Sequence, residues 1–234
     1  MIVLQLANLP VQFSYAILFP RCILTLQIDQ KMKTERLEMF SDGVFAIAIT
    51  LLILEIKIPK HEDLVLCGGL YNYLIQLWPA YLAYFVSFFV IGIYWSGHNW
   101  LFTFIKRTDH VFNLLALLFL MTIALLPFPT ALLGDFIANE EYRNAAVTAY
   151  CVGFLLPAPT SLIGLIYATH KHRLVEPNLS KKFIRGQLLK FSVACIFSSI
   201  AIALSFHHPL ISVGIVAFLC LMFLLPPDKP VYEV

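Results

Sequence analysis

The chain has 234 residues, of which 60% are hydrophobic and 13% charged, with a formal net charge of +2 and a mean hydropathy of +0.82. Soluble globular domains carry roughly twice that charged fraction, so a water-soluble domain is excluded and a lipid bilayer is the expected solvent. No basic stripe for nucleic acid, no Walker-type, GxSxG, HExxH or GxGxxG motif and no metal-ligand spacing among the five cysteines is present, so neither an enzyme of the soluble type nor a bound cofactor or metal is expected.

Residues 1–31, which open an extension over 1–33, are apolar but interrupted by Pro10 and Pro20. They lack the basic start and small-residue cleavage site of a signal peptide. Two readings stay open: a seventh span, or an upstream extension with Met32 as the working start. Six segments of spanning length follow, at 38–58, 73–97, 110–133, 145–169, 186–206 and 208–226, against about 20 residues needed to cross a 30 Å hydrocarbon core. The linkers are short and the first segment has no repeat. The expectation is therefore one all-α, multi-pass membrane domain of six transmembrane helices over 34–228, followed by a short tail at 229–234. Pro127 and Pro129 in the third segment, and Pro157 and Pro159 in the fourth, predict kinks whose freed carbonyls need partners.

Orientation follows from the basic residues. Twelve of the sixteen Lys and Arg fall before the first segment, in the 2–3 and 4–5 loops and in the tail; Lys57, Lys60 and Arg143 fall on the other side, and Lys190 lies inside segment five. The positive-inside rule then puts both termini in the cytoplasm.

The first segment, RLEMFSDGVFAIAITLLILEIKIP at 36–59, carries an Arg, a Ser, an Asp and a Glu, and a central Asp or Arg costs roughly 2.5–3.5 kcal/mol in a bilayer. At 100° per residue, Ile47, Leu51, Leu54 and Ile58 form one stripe with Thr50 on its flank, while Ser41 and Asp42 fall on the opposite side, toward neighbouring helices. Depth selects the partners. YWSGHNW at the cytoplasmic end of segment two brings Trp95 and His98 to the level of Asp42, and Asn113 sits in the first turn of segment three. Arg36, Ser41, Asp42, Trp95, His98 and Asn113 can therefore meet in one layer of matched donors and acceptors. Asp42 reads either as a structural contact or as a proton or cation ligand, and His98 either as a buried structural histidine or as a pH sensor. Glu55 is either a solvated residue or part of an acidic ring at a pore mouth. The Ile/Leu stripe, by periodicity alone, reads as an ordinary lipid-facing or helix-packing surface.

The run RLEMFSDGVFAIAITLLILEI resembles the first-helix signature of the transmembrane protein 175 family of potassium channels in its prokaryotic, single-repeat form: an Arg, three residues, then Phe-Ser-Asp, here Arg36, Phe40, Ser41 and Asp42. YWSGHNWLF and NLLALLFLMTIALLPFPTALLG are also similar to the family, and the resemblance is strong from 36 to about 134. It implies a homotetramer in a prokaryotic plasma membrane, with four copies of the first helix around a central path and potassium as the permeant ion. It implies Ile47 as a narrow apolar constriction, Thr50 as a hydroxyl tied to potassium preference, and Leu51 and Leu54 as further apolar rings. It also implies that Arg36, Ser41 and Asp42 bond to Trp95, His98 and Asn113. No TVGYG-like filter is present. Two other readings remain: a proton-coupled carrier using Asp42 and His98, and a non-transporting membrane protein whose polar layer serves assembly. Self-association and the bilayer are the expected partners.

Overall fold

A computed structural model describes residues 34–226 and 228–233. The expectations for residues 1–31 lie outside the described residues. Among the described residues ten α-helices occur in the order α1 (Glu35–Leu51), α2 (His61–Cys67), α3 (Leu70–Gln76), α4 (Trp78–Leu101), α5 (His110–Leu125), α6 (Pro127–Phe136), α7 (Arg143–Leu155), α8 (Pro157–Thr169), α9 (Lys181–Ser205) and α10 (Pro209–Leu224). Among the described residues the only β-pairing is two isolated bridges, Ile105 with Val175 and Leu179 with Tyr232.

Among the described residues five stretches are long and apolar enough to cross a bilayer: Glu35–Glu55, Trp78–Leu101, His110–Phe136, Arg143–His172 and Lys181–Ser205. The sixth, α10, has 16 residues and rises roughly 24 Å, short of a 30 Å core, a mismatch that bilayers absorb by local thinning. Segment one ends earlier than expected. α1 tightens into a 3₁₀ turn at Leu52–Glu55 and the chain turns extended at Ile56, so Ile58 lies beyond the helix. Segment two is displaced toward the C-terminus, because Pro79 suits the first turn of a helix and α4 runs on to Leu101. The residues before it form the unforeseen short helices α2 and α3. Asp63 accepts from the Lys60 backbone N–H at 2.9 Å to start α2. Gly68 and Gly69, with φ of 72° and 115°, separate α2 from α3, a backbone path that glycine takes without steric cost.

Prolines divide two spans without stopping them. α5 and α6 continue through Leu126, and α7 and α8 through Leu156, both residues in the right-handed helical region. Pro127 leaves the Ile123 carbonyl without its usual donor, and the Leu126 N–H reaches it at 3.1 Å. At the second kink the Tyr94 hydroxyl donates to the Phe154 carbonyl at 2.7 Å. The two kinked spans press closely together: a Cβ on Gly153 would stand 2.6 Å from Cγ of the Pro129 ring. Gly153→Ala should therefore destabilise the fold by about 1–3 kcal/mol, the usual cost of overpacking, read as a lower unfolding midpoint in detergent. Gly186→Ala, where a Cβ meets nothing within 4 Å, should leave the midpoint unchanged or slightly raised.

The main core joins Phe45, Ala48 and Leu52 of the first span to Ile91, Phe119, Ile123, Tyr150 and Val216. Inside it, Thr130 donates to Ser87 at 2.8 Å, and Ser87 meets the Tyr150 hydroxyl at 3.2 Å. This buried polar chain ties α4, α6 and α7. A second cluster closes the Lys/Arg-rich end, where Ile105, Phe112, Leu165, Val175, Leu179 and Phe183 pack together with Leu37 against them. The start of α1, the 2–3 and 4–5 loops and the tail thus gather at one end. Lys57 pairs with Asp135 at the other.

Asp109 fastens the Lys/Arg-rich end. One carboxylate oxygen accepts from the Phe112 N–H at 2.9 Å and caps α5; the other accepts from the Tyr167 hydroxyl at 2.8 Å and from Arg173 Nε at 3.1 Å. The Arg173 guanidinium also lies 4.5 Å over the Tyr167 ring. Burial works to raise the carboxyl pKa, but the bonds from Phe112, Tyr167 and Arg173 outweigh it and hold the group below the usual range. A carboxyl lowered in the folded state stabilises fully above its unfolded pKa of about 3.9 and loses that contribution as pH falls through the folded value. Asp109→Asn should cost about 1–2 kcal/mol near neutral pH. The gap between the variant and wild-type midpoints should narrow as pH falls below the unfolded value of about 3.9 and through the lowered folded one; a gap that stays constant until Asp109 is protonated would assign the loss to packing instead.

Candidate functional site

α1 begins with Glu35 and Glu38 in its first turn, where carboxylates favour the positive helix end, and then runs apolar to Leu51. It buries a narrow line of residues, Ser41, Phe45 and Ala48, continued by Leu52 in the 3₁₀ turn. That spacing keeps one helical face against α4 and α5. The opposite face is uncovered: Ile47 is 61%, Leu51 42% and Leu54 71% exposed. The stripe expected from helical spacing thus exists, with Leu54 carried on the 3₁₀ turn rather than on the α-helix. Phe40 extends the exposed face at its start.

Thr50 lies on this uncovered face. Its hydroxyl donates to the Ala46 and Ile47 carbonyls, each at 2.9 Å. The single proton is thereby committed to the helix backbone, and the oxygen lone pairs are left to face outward.

Ser41 and Asp42 part company. Consecutive helical residues differ by 100°, and this step carries Ser41 into the core and Asp42 to the surface edge. Ser41 is fully buried and donates to the Leu37 carbonyl of its own helix at 2.7 Å. Asp42 is exposed and accepts from the Trp95 indole N–H at 2.8 Å. The bond joins α1 to α4.

The other expected members of the layer are not hydrogen-bonded to Asp42 within the chain. Arg36 is exposed, with no ion pair among the described residues. His98 is gripped by rings: it stacks on Phe119 at 5.0 Å, meets the edge of Phe102 at 5.0 Å and lies 5.7 Å from Phe45. His98 Nε2 and Asn113 Oδ1 are buried without a hydrogen-bond partner among the described residues. His98 also borders two small cavities, of about 60 and 30 Å³. Aromatic side chains explain the difference. Depth matching places residues at one level, but the Phe45, Phe102 and Phe119 rings surround the imidazole there, and nothing in the helical spacing of polar residues announced them.

Glu55 is partly buried at the end of the 3₁₀ turn and lines a small crevice with Tyr84, Thr130 and Asp135. It therefore sits toward α4 and α6, away from the Ile47 stripe. Among the described residues no cluster of His, Cys, Asp and Glu is suited to a metal ion. The polar chain of Ser87, Thr130 and Tyr150 was missed because its three members lie far apart in sequence, each isolated in an apolar run.

Comparison with known proteins gives a consistent result. Residues 36–127 match the family model described as endosomal/lysosomal potassium channel TMEM175. The chain is 37% identical over 200 residues to a potassium channel of Chamaesiphon minutus, covering 86% of this chain and 98% of the relative. It is 37% identical over 171 residues to a potassium channel of Streptomyces collinus, covering 73% and 82%. Its structure matches the crystal structure of a lysosomal potassium-selective channel TMEM175 homologue from Chamaesiphon minutus with a TM-score of 0.73 and 36% identity, over 82% of this chain and 96% of that one.

Proposed function

Because the chain belongs to the TMEM175 family, a family of ion channels and not of enzymes, we propose that it is a potassium-permeable cation channel whose pore is lined by α1 of four identical subunits. The observation that carries this reading is the uncovered stripe of Ile47, Leu51 and Leu54 on a helix whose opposite face is packed into the core. Around a symmetry axis the stripe meets its own copies. Four Ile47 side chains then make a ring too apolar to hold a water column, and the path closes by dewetting. A small widening or rotation of α1 opens it.

Selectivity in this arrangement is moderate, because apolar rings supply no oxygen cage. The Thr50 oxygens, with their protons turned back to the helix, offer lone pairs to a partly dehydrated cation. The Asp42–Trp95 bond braces α1 against α4 and fixes which face of α1 meets the axis. The basic end, which holds the start of α1 and the tail, lies in the cytoplasm by the positive-inside rule. The protein then spans the plasma membrane, with bilayer lipid and its own copies as partners and potassium as cargo.

Reconstitution into liposomes tests this. Potassium efflux down its gradient, dissipating voltage without a proton gradient, supports the channel. Flux that stops when the proton gradient is clamped supports a carrier working through Asp42 and His98, and no flux in correctly assembled protein supports an assembly role alone.

A further inference from the structure

α4, α9 and the last turn of α10 line a groove of about 550 Å³. That volume is typical of a small-molecule site. Small residues on α4 open it: a Cβ on Gly92 or Gly97 would meet nothing within 4 Å, and Ser96 lies between them on the groove wall. Such residues usually let helices approach closely; here no helix of the described residues approaches them. The walls are otherwise apolar and aromatic, from Phe88 to Trp100. These twelve residue steps rise roughly 18 Å, close to the depth of one leaflet, about half of a 30 Å hydrocarbon core.

The groove has a charged mouth. Lys190, the basic residue deepest in the fifth span, pairs there with Asp228 of the tail, and the buried Gln187 amide donates to the same carboxylate at 3.4 Å. The Lys190 and Asp228 side chains are 50% and 62% exposed. An ion pair so open to solvent holds weakly, and both partners can take new ones. Trp100 lies at the same end, the level where indole rings collect at membrane interfaces.

We infer that the groove between α4, α9 and α10 binds one acyl chain of a zwitterionic phospholipid, with its phosphate on Lys190 and its primary ammonium on Asp228. The apolar walls match the chain, the depth matches a single leaflet, and the two adjacent opposite charges match a head that carries both. An anionic lipid without an amine satisfies Lys190 but leaves Asp228 repelled. The inference is independent of where the conducting path lies.

Native mass spectrometry of the full chain in mild detergent, titrated with phosphatidylethanolamine or phosphatidylglycerol, tests it. Phosphatidylethanolamine should bind about fivefold more tightly, the scale of one exposed ion pair. Gly92→Leu, which fills the groove, should lower its binding at least about fivefold, and the double change Lys190→Gln with Asp228→Asn should abolish the preference between the two lipids. Equal retention by Gly92→Leu, or no preference in the wild-type chain, overturns the proposal. So does efficient cross-linking of Ser96→Cys to a second copy, since the groove would then be covered by protein. A second readout needs no groove-filling variant. Phosphatidylethanolamine brominated on its acyl chain should quench wild-type tryptophan fluorescence more than that of Trp100→Phe, and equal fractional quenching counts against it.

Discussion

Ile47→Asn should raise resting potassium efflux from liposomes by about tenfold and bring the potassium and sodium rates close together. A tenfold rise requires only about 1.4 kcal/mol off the barrier. Exchanging a buried aliphatic side chain for an amide changes its hydration by more than that at a single site, and the proposed ring has four. The amides hydrogen-bond water, so the constriction fills and ions pass with more of their hydration shell, which weakens discrimination. The fold should tolerate the change, because Ile47 is 61% exposed and contributes little to the core of its own subunit. Ile47→Leu keeps the ring apolar and should leave efflux low. If Ile47→Asn assembles normally and conducts like wild type, Ile47 is not the narrow point. If detergent-solubilised Ile47→Asn loses its assembly altogether, the stripe is an ordinary packing seam.

Much of this arrangement was legible in residue spacing. An apolar line repeating every three to four residues through Ile47, Leu51 and Leu54 requires a helical face, and the structure leaves that face uncovered. The level shared by Asp42 and Trp95 followed from counting turns inward from the basic end, and the two side chains meet at 2.8 Å. The remainder depended on tertiary contacts that spacing does not encode. Ser41 and Asp42 are neighbours in sequence, yet one is in the core and the other at the surface, because the position of Phe45 and Ala48 against α4 and α5 decides which side of the step is covered. His98 met aromatic rings instead of the polar groups of the first helix, since Phe102 and Phe119 fill the space at that depth. The 3₁₀ turn at Leu52–Glu55 steps by 120° rather than 100°, which moves Glu55 toward α4 and α6 and away from the expected pore mouth. α2 and α3 escaped notice because each has only seven residues, too few for a helical period to emerge from an apolar background.

The second large effect is expected at the Asp42–Trp95 bond, and it should appear in assembly before it appears in ion preference. Asp42 accepts from the indole N–H across the α1–α4 junction, on the side of α1 away from the stripe that meets neighbouring subunits in the proposed tetramer. Removing either partner frees α1 to rotate about its own axis, which misaligns four stripes at once. Asp42→Ala and Trp95→Phe should each lower the temperature at which the assembly dissociates, with the double variant no worse than the poorer single one. A coupling of about 1 kcal/mol per subunit is the scale of polar bonds measured between membrane helices, and four subunits multiply it. Light scattering on heated, detergent-solubilised protein measures the dissociation, and reversal potentials in bilayers measure the ion preference of whatever remains assembled. Additive losses would mean that the two side chains act separately. An Asp42→Ala assembly of wild-type stability with an altered potassium-to-sodium ratio would place the carboxylate in the ion path, where it attracts cations directly rather than holding α1 in register.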